Sequence, residues 1–338
     1  MATTLPDPQF PVLITGGAGF IGSNLVDQIP PRLPVIIFDN LMRTWESIRN
    51  LNEIKRPFEL IIGDVRDEAL VKRVVREYHP GVIYHMAAYP SHRLVFTRPP
   101  LEYVRVNLLG TLNVLDAARE TGSKVVFASS NKVYGHEEWG KAMSEDSPCN
   151  PEGPYALAKF ASERYMAMYA QYYDVCSVAL RFHHSVGMRC NSELALSIFT
   201  EAALKSDPLT VNGRSENGQW RYCHADFTAV EDIVAALLIY LGRDFEGFEI
   251  FNLGSGQANS VFRLAQLVLA ETGSNSSIVQ GQAMSHEGLW HLADASRAKR
   301  VLGWKATVDL GESVRRYVTW RSHRKQFCPG QEDWAESL

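Results

Sequence analysis

A glycine-rich turn near the start of the chain constrains the fold more than any other feature. Residues 11–15 form the short, apolar, β-branched run that is typical of a strand buried on both faces. Gly16, Gly19 and Gly22 follow at once, and residues 23–29 can begin a helix. Glycines at this spacing permit a tight turn, close approach of the backbone to a pyrophosphate and close helix–strand packing. The motif predicts a strand–turn–helix unit whose helix N-terminus binds phosphate.

Strands and helices continue to alternate after this unit. Buried strands are predicted at 34–38, 58–62, 82–85 and 124–128, and helices at 67–78, 101–120 and 155–173. This alternation predicts an α/β fold with a parallel, doubly wound sheet, which binds ligands at the carboxyl ends of its strands. Several polar or small residues come at such ends: Asp39, Asp64, Ala87, Ala88, Ser129 and Ser130.

The pattern loosens after residue 181. Helices are predicted at 192–205, 230–241, 260–271, 295–302 and 312–321, with a strand at 249–253. Fewer strands and more loops indicate a smaller lobe over the sheet edge. We predict a dinucleotide-binding domain at 11–181, which some later segments rejoin, and a mainly substrate-binding lobe at 182–325. Residues 1–10 are predicted to be a disordered lead, and residues 326–338 a tail.

Composition and charge exclude several classes of partner. The net charge is -4, the pI is about 6.2 and no basic tract stands out, which argues against nucleic acid and anionic membranes. No apolar run approaches the roughly 18 residues that span a bilayer. The five cysteines are far apart and lack zinc-ligand spacing. We therefore predict a reduced, cytoplasmic protein without a metal site.

An acidic residue ends the second predicted strand. Asp39 lies about twenty residues after the glycine turn, where a carboxylate can accept both ribose hydroxyls of an adenosine. The same charge repels a 2′-phosphate, so NAD is favoured over NADP as the cofactor. Arg43 lies close enough in sequence to leave that preference open, and Asp39 as a helix N-cap is the alternative interpretation.

Tyr155 and Lys159 supply a candidate general base. Residues four apart lie on the same face of a helix. A phenol titrates near ~10, and a cation one turn away favours the phenolate and lowers its pKa. The Ser130 hydroxyl is then placed to orient a substrate oxygen. The alternative for this spacing alone is an amphipathic helix with a surface lysine.

Two helices carry more apolar residues than one buried face requires. The helices at 101–120 and 155–173 are apolar on more than one stripe. A second apolar face predicts packing against a partner subunit, so we predict a homodimer through these helices. The alternative is that later segments of the same chain cover them.

Taken together, these motifs resemble the extended short-chain dehydrogenase/reductase family, in its sugar-nucleotide epimerase/dehydratase branch. The resemblance runs from Val12 to about Arg316 and implies a Rossmann-type fold. It is carried by Gly-Gly-Ala-Gly-Phe-Ile-Gly at 16–22, Asp39-Asn40-Leu41, Gly63-Asp64-Val65-Arg66-Asp67, His85-Met86-Ala87-Ala88, Asn107 with Gly110-Thr111, Ser129-Ser130, Val133-Tyr134-Gly135, Tyr155 with Lys159, Asp226-Phe227-Thr228, residues 252–256 and Leu302-Gly303-Trp304.

The resemblance also implies residue roles. Tyr155 takes a proton from a substrate hydroxyl while the carbon beneath gives hydride to the nicotinamide, with Ser130 on the same oxygen and Lys159 on the nicotinamide ribose. The residues implied to contact NAD are Gly16, Gly19, Phe20, Ile21, Gly22, Asp39, Asn40, Asp64, Val65, Ala87, Ala88, Asn107, Ser129, Tyr155, Lys159 and Phe182.

One departure from the family pattern follows the catalytic serine. The family's 4,6-dehydratases carry an Asp-Glu pair there, which helps to expel water. This chain has Asn131 and Lys132, which offer no carboxylic acid and argue against that reaction. Asn-Lys at this place is similar to the 2-epimerases of CDP-tyvelose type. Lys132 as a polar loop residue is the alternative.

Two further departures affect diphosphate binding. The family's Arg before Asp-Phe is Ala225 here, and no Arg occurs at 284–291. Arg221, in a predicted loop at 213–224, replaces the first only if that loop folds back. Since Arg contacts to phosphate are strong, a nucleotide sugar is held differently here or the substrate lacks a diphosphate.

The remaining substrate-binding candidates follow two strand ends. His184 occupies a position where the family often has a substrate-binding Asn, with a packed structural His as the alternative. Ser91, His92 and Arg93 face the expected substrate space, and a surface ion pair is the alternative for Arg93.

Three functions remain open from the sequence. The leading one is an NAD-dependent epimerase of a nucleotide sugar, a small-molecule carbohydrate substrate. The second is an NAD-dependent dehydrogenase or reductase of a non-nucleotide sugar or sugar acid. The third, a non-catalytic NAD-binding scaffold, is disfavoured by the intact Ser130, Tyr155 and Lys159.

Overall fold

A computed structural model describes residues 10–89, 99–136, 138–216, 218–283 and 289–323. Most of the predicted lead and all of the predicted tail lie outside these ranges. Its main sheet has seven strands, all paired in parallel, in the order β11-β6-β5-β4-β1-β2-β3. These strands are β1 (Val12–Thr15), β2 (Val35–Asp39), β3 (Glu59–Ile62), β4 (Val82–His85), β5 (Lys124–Ser130), β6 (Ser177–Phe182) and β11 (Phe248–Leu253).

Helices cover both faces of this sheet, which confirms the predicted doubly wound α/β fold. One face packs against α1 and α8, and the other against α3, α5 and α6. The helices are α1 (Phe20–Gln28), α2 (Thr44–Glu53), α3 (Glu68–Tyr78), α4 (Pro100–Tyr103), α5 (Gly110–Thr121), α6 (Gly153–Tyr173), α7 (Ala195–Leu204), α8 (Val230–Gly242), α9 (Val261–Thr272), α10 (Ser296–Leu302) and α11 (Leu310–Ser322). No helix among the described residues has the length and apolar character to cross a membrane.

The first strand shows why these runs form central strands. Val12 and Ile14 point into the core on one face of the sheet, and Leu13 points into the core on the other. None of the three is more than 2% exposed. Because successive side chains of a strand alternate between faces, a continuous apolar run requires helices on both sides.

The helix predicted at 101–120 is divided into three segments. A π-helical turn, Val104–Leu109, lies between α4 and α5. The Asn107 carbonyl inside this turn accepts hydrogen bonds from Thr111 Oγ1 at 2.7 Å and from Ser162 Oγ of α6 at 2.9 Å. Side-chain hydroxyls that bond to a helical carbonyl disturb the regular ladder, and π turns often occur at functional sites.

The second half of the chain contains more strands than we predicted. One small sheet joins β12 (Ala258–Ser260), β10 (His224–Ala229) and β7 (His184–Val186), and another joins β13 (Ile278–Gln282), β8 (Leu209–Glu216) and β9 (Gln219–Tyr222). These mixed sheets enclose a third core with α7, α9 and α11. Segments 230–242 and 248–253 instead rejoin the main sheet and its helices.

The prediction of a loop at 213–224 is wrong. It contains an antiparallel hairpin of β8 and β9, in which Arg214 lies opposite Arg221. Gly213 lets the strands approach, because a Cβ there would lie 2.4 Å from the Arg221 carbonyl oxygen and 2.9 Å from Trp220 Nε1. Polar residues and glycines interrupt the alternation of apolar and polar side chains in this stretch, so the sequence does not indicate the two strands.

Candidate active site

A cleft of about 410 Å³ lies at the carboxyl ends of β1, β2, β4, β5 and β6. It brings together most of the residues that the sequence singled out, although their roles stay predictions. Those that line it are Gly16, Gly19, Phe20, Ile21, Gly22, Asp39, Asn40, Val65, Ala87, Ala88, Ser129, Ser130, Asn131, Lys132, Tyr155, Lys159, Phe182 and His184. Asp64, Asn107 and Arg221 are not among the lining residues, and Ser91, His92 and Arg93 lie outside the described residues.

The glycine turn forms a compact cradle at the start of α1. A Cβ on Gly16, which has φ of +71°, would lie 2.6 Å from the Ala87 nitrogen, and one on Gly22 would lie 2.4 Å from the Gly16 oxygen. Gly19 is the N-cap of α1, and no side chain caps this helix. The unpaired first-turn N–H groups and the missing side chains fit a phosphate-bearing cofactor.

Asp39 lies directly against this turn. Its Oδ2 accepts a hydrogen bond from the Ala18 nitrogen at 3.0 Å, and its Oδ1 accepts one from the Leu41 nitrogen at 2.9 Å. Burial raises the pKa of Asp39, and these two bonds oppose the shift. Nearby Arg43 bonds to the carboxylates of Glu46 at 2.9 Å and Glu193 at 2.7 Å, so its charge is compensated.

Asp64 organises the rim beside Asp39. It accepts hydrogen bonds from Asn40 Nδ2 at 2.7 Å and from the Arg66 guanidinium at 2.8 and 2.9 Å. Arg66 lines the cleft and pairs with Glu102 at 3.0 Å. Asp64 therefore holds Asn40 and Arg66 in position, and sequence reasoning had assigned Arg66 no role.

Ser130, Tyr155 and Lys159 meet at the centre of the cleft. Burial raises the pKa of Tyr155 to about 12, and the neighbouring Ser130 hydroxyl opposes this shift. Burial also lowers the pKa of Lys159 to about 7. Its Nζ donates to the Ala128 oxygen at 2.6 Å and lies 5.8 Å from the centroid of the Tyr155 ring.

The expected depression of the Tyr155 pKa is therefore wrong for this arrangement. Both groups are buried together, and burial favours the neutral form of each. Tyr155 is a neutral phenol near neutral pH, while Lys159 titrates there.

Asn107 lies behind the wall of the cleft and holds that wall in position. Its Nδ2 donates to the Tyr89 oxygen at 3.0 Å, and its Oδ1 accepts from the Tyr89 nitrogen at 2.6 Å. Tyr89 packs edge-on against Tyr103 at 4.9 Å between centroids, and Tyr103 packs edge-on against Tyr155 at 6.4 Å. The π turn thus links the end of β4 to the candidate base.

A buried ion pair supports the floor of the site. Arg181 and Glu163 are 3% and 2% exposed, and their side chains form two hydrogen bonds of 2.7 and 3.0 Å. Ser129 Oγ donates to Glu163 at 2.5 Å, and Arg181 donates to the Tyr134 hydroxyl at 2.9 Å. The network fixes Ser129 through α6 and β6, directly before Ser130.

His85 lies fully buried under the glycine turn. Its Nδ1 and Nε2 are 2.7 Å from Thr15 Oγ1 and 3.0 Å from Thr111 Oγ1. Burial, and then the charge of Lys159, lower its pKa to about 3. Since the unfolded chain binds a proton below the ordinary pKa of 6.5 and the folded chain does not, stability falls as the pH drops from 6.5 towards 3.

We expect this histidine to produce a measurable pH dependence. Between about pH 6.5 and about pH 5 the wild type should lose about 1.6 kcal/mol of unfolding free energy through His85, on top of other losses. Denaturant titrations of wild type and His85→Asn at both pH values measure the difference. An equal loss of unfolding free energy in wild type and His85→Asn would contradict the role of His85 in this pH dependence.

A segment of the second lobe also lines the cleft, and sequence reasoning missed it. Arg189 has φ of +64° and is 6% exposed. Its guanidinium donates hydrogen bonds to the Ser23 backbone oxygen at 2.8 Å, to the Asp27 carboxylate at 2.6 Å and to the Glu53 backbone oxygen at 2.9 Å. Ser192 donates to Glu46 at 2.8 Å. Residues 188–193, which we call the strap, are thereby fixed to α1 and α2. No sequence motif marked them, since each contact spans more than a hundred residues.

The substrate end of the cleft carries a lysine and histidines. Lys132 Nζ lies 3.3 Å from His291 Nε2, and the rings of His291 and His184 are 5.2 Å apart. The described residues contain no group of three or more His, Cys, Asp or Glu able to hold a metal. Arg221 lies over the Trp139 ring at 4.7 Å, and Ala225 is buried in β10.

Comparisons with known proteins agree with this architecture. The family model described as GDP-mannose 4,6 dehydratase matches residues 13–317. The UDP-glucose 4-epimerase of Mycolicibacterium smegmatis is 31% identical over 320 residues, which cover 93% of this chain and 99% of that protein. The dTDP-D-glucose 4,6-dehydratase of Mus musculus is 29% identical over 328 residues, which cover 94% and 89%.

Solved structures include the same kinds of protein. The UDP-glucose 4-epimerase of Thermus thermophilus, crystallised as a complex with NAD, has a TM-score of 0.83 and 30% identity, covering 94% of this chain and 100% of that one. Both epimerases and dehydratases thus occur among the relatives. The chain belongs to the extended short-chain dehydrogenase/reductase family of NAD-dependent sugar-nucleotide epimerases and dehydratases.

Proposed function

We propose that this protein is an NAD-dependent epimerase of a nucleotide sugar, which works through a transient keto sugar. The observation that carries the proposal is the joint placement of Ser130, Tyr155 and Lys159 in a cleft that also contains the glycine turn. The names of the epimerase relatives support the substrate class.

The chain's own residues supply binding and proton transfer. Tyr155 is neutral before the reaction. Its hydroxyl therefore accepts a proton from the sugar hydroxyl only as it gives up its own proton towards Ser130 and Lys159. Ser130 holds the reacting oxygen, and Lys159 compensates charge on the phenol oxygen. When bound, NAD would supply a reversible hydride acceptor, so that removal and return of hydride would leave the sugar without net oxidation.

The cleft fits NAD better than NADP. Asp39 presents a carboxylate at the glycine turn, where a 2′-phosphate would add like charge. Arg43 lines the cleft and follows Asp39 in sequence, but it already bonds to Glu46 and Glu193. The cradle of Gly16, Gly19 and Gly22 then receives the pyrophosphate.

A stoichiometry experiment tests the proposal. The NAD-loaded protein is incubated with a large excess of each of several nucleotide sugars, and the epimer and reduced cofactor are quantified together. An epimerase converts many equivalents of sugar per bound NAD and accumulates no NADH. Formation of one NADH per sugar would reject epimerisation.

The second candidate is a dehydrogenase of a sugar or sugar acid without a nucleotide. It is favoured by Ala225 at a position where the family has a phosphate-binding Arg and by the location of Arg221 outside the cleft. A 4,6-dehydratase is disfavoured, because Asn131 and Lys132 line the place where that reaction needs a carboxylic acid.

The strap is expected to retain the cofactor between turnovers. Arg189→Met removes the bonds to α1 and α2, so bound NAD should dissociate at least about tenfold faster, the equivalent of about 1.4 kcal/mol. Dissociation is followed by displacement with a fluorescent NAD analogue. The exposed Arg76→Met is the control. An unchanged rate in Arg189→Met, with normal folding, would reject this role.

We also propose that the protein is a homodimer through α4, α5, α6 and the π turn between α4 and α5. These helices pack together and expose large apolar side chains: Leu101, Val104, Leu109, Leu157, Tyr165, Tyr172 and Tyr173. An apolar surface of this kind is typical of an interface.

A charge placed on this surface should break the dimer. Leu109→Lys combined with Tyr172→Lys buries two unpaired ammonium groups, so we expect a monomer at micromolar concentration. Analytical ultracentrifugation measures the mass. Leu204→Lys, at an equally exposed leucine on α7, is the control. A double variant with the wild-type mass would exclude this interface.

A further inference from the structure

Asn131 Nδ2 and His184 Nδ1 are buried polar atoms at the substrate end of the cleft, and neither has a hydrogen-bond partner among the described residues. Asn131 is 3% exposed, and both side chains line the cleft together with Lys132. A buried polar atom without a partner costs free energy, so such atoms in a binding cleft indicate that a ligand completes them.

Lys132 adds a positioned cation to this pair. Its Nζ lies 3.3 Å from His291 Nε2. Burial, and then the charge of Lys132, hold the pKa of His291 well below its ordinary value, so the imidazole is neutral and accepts a hydrogen bond from the ammonium. His291 is 4% exposed and therefore restricts the directions in which the ammonium can point.

The backbone around His291 is fixed on both sides. The His224 nitrogen donates to the Leu289 oxygen at 2.8 Å, and the Met143 nitrogen donates to the Leu292 oxygen at 2.9 Å. His291 thus comes from a segment that is held to β10 and to the loop before α6. This segment lies far from Lys132 in sequence, which is why no local motif indicated the contact.

The charges along the cleft are separated. The carboxylates that line it, Asp39, Glu46 and Glu102, lie on β2, α2 and α4, at the side of the glycine turn and its rim. The lining residues at the other end, Asn131, Lys132 and His184, offer an amide, an ammonium and an imidazole. An ammonium beside an amide that donates and a neutral imidazole that donates from one of its two ring nitrogens is complementary to an oxyanion rather than to a neutral hydroxyl.

The location places this donor set beside the chemistry. Asn131 and Lys132 follow Ser130 directly, and the Lys132 nitrogen donates to Ser130 Oγ at 3.2 Å. His184 follows β6, which pairs with β5 so that Phe182 lies opposite Ser130. A group bound here is therefore next to the oxygen that Ser130 and Tyr155 hold.

We propose that Asn131, Lys132 and His184, with His291 behind Lys132, form an oxyanion-binding subsite for the substrate. The inference rests on the proposed function, from which the sugar substrate is taken. Lys132 would supply a cation to this cleft, in which Ala225 occupies the position of the family's phosphate-binding Arg. The oxyanion is either a carboxylate on the sugar or the diphosphate that links the sugar to its nucleoside. Asn131 and His184 donate to it, Lys132 compensates its charge, and His291 positions Lys132.

Calorimetric titration of the NAD-loaded protein tests the subsite. The ligands are UDP-glucuronate, UDP-glucose and UDP, with glucuronate and pyrophosphate as oxyanions that carry no nucleoside. Lys132→Met should weaken the oxyanion-bearing ligands at least tenfold, and Lys132→Arg should restore binding to within threefold of wild type. His291→Asn should weaken the same ligands three- to fivefold, and the exposed Lys205→Met should change none.

The ligand panel separates the two sources of the oxyanion. If the carboxylate binds here, Lys132→Met weakens UDP-glucuronate and glucuronate but leaves UDP-glucose unchanged. If the diphosphate binds here, UDP-glucose, UDP and pyrophosphate weaken alike. Either result supports the subsite, and Asn131→Ala repeats the test should Lys132→Met fold poorly.

Two outcomes would overturn the subsite. One is wild-type affinity for all five ligands in folded Lys132→Met and Asn131→Ala. The other is a wild-type protein that binds none of the five. Failure of the proposed function is distinguishable, because glucuronate and pyrophosphate report on the subsite even where no nucleotide sugar is turned over.

Discussion

Tyr155→Phe is expected to reduce turnover by about 10³-fold while the protein keeps its fold and its bound cofactor. The change removes one oxygen atom and leaves the ring that packs edge-on against Tyr103. Positioned proton transfer contributes about 10²–10⁴-fold in enzymes, and Tyr155 lines the cleft beside Ser130, whose hydroxyl opposes the rise in the Tyr155 pKa. Steady-state rates and the melting temperature of the NAD-loaded variant measure the two effects.

Tyr172→Phe is the matched control for this prediction. Tyr172 lies on the same helix, 17 residues beyond Tyr155, and it is 66% exposed and is not among the residues that line the cleft. We expect its rate to stay within twofold of wild type. If Tyr155→Phe keeps more than a tenth of the wild-type rate, Tyr155 is not the acid–base group.

Breaking the ion pair below the site is expected to have the largest effect on stability. Arg181→Leu leaves the Glu163 carboxylate buried without its cation and removes a donor from the Tyr134 hydroxyl. Removing one partner of a buried pair costs about 3–5 kcal/mol. Denaturant unfolding at neutral pH measures this loss.

An exposed pair and a double variant complete the experiment. Arg76→Leu breaks the surface pair with Glu120 and should cost less than about 1 kcal/mol. Arg181→Leu combined with Glu163→Leu should be less damaging than the sum of the single changes, since no unpaired charge then stays buried. An Arg181→Leu loss no larger than that of Arg76→Leu would contradict the structural role of the pair.

The features predicted best from sequence are those with strong local signals. The predicted strand at 82–85 has the bounds of β4, and the predicted helix at 67–78 begins at Asp67, which caps α3 by accepting a hydrogen bond from the Leu70 nitrogen. Apolar periodicity and capping residues act within one element, so neighbouring residues are sufficient to reveal them.

The features that sequence reasoning missed depend on distant parts of the chain. Helix α2 buries Glu46, which bonds to Ser192, and nothing near Glu46 predicts that partner. The contact of Lys132 with His291 spans 159 residues. The π turn at Asn107 depends on a hydroxyl from α6. Local patterns cannot supply such partners, which only the folded chain brings together.

The pKa of Tyr155 illustrates a different limit. Sequence spacing placed Lys159 on the correct face of α6, and the expected consequence was a more acidic phenol. Burial raises the pKa of Tyr155 and lowers that of Lys159, because desolvation penalises the charged form of each. The degree of burial is a property of the fold and is not encoded in the spacing of two residues.

The most direct measurement of the central claim follows the hydride. NAD-loaded protein is given a nucleotide sugar that carries deuterium at the carbon to be oxidised, and the epimer and the nicotinamide absorbance are recorded over many turnovers. Reversible oxidation through Ser130, Tyr155 and Lys159 predicts an epimer that keeps its deuterium at the same carbon, with no accumulation of NADH. Loss of the deuterium to solvent, or steady accumulation of NADH, would contradict the account.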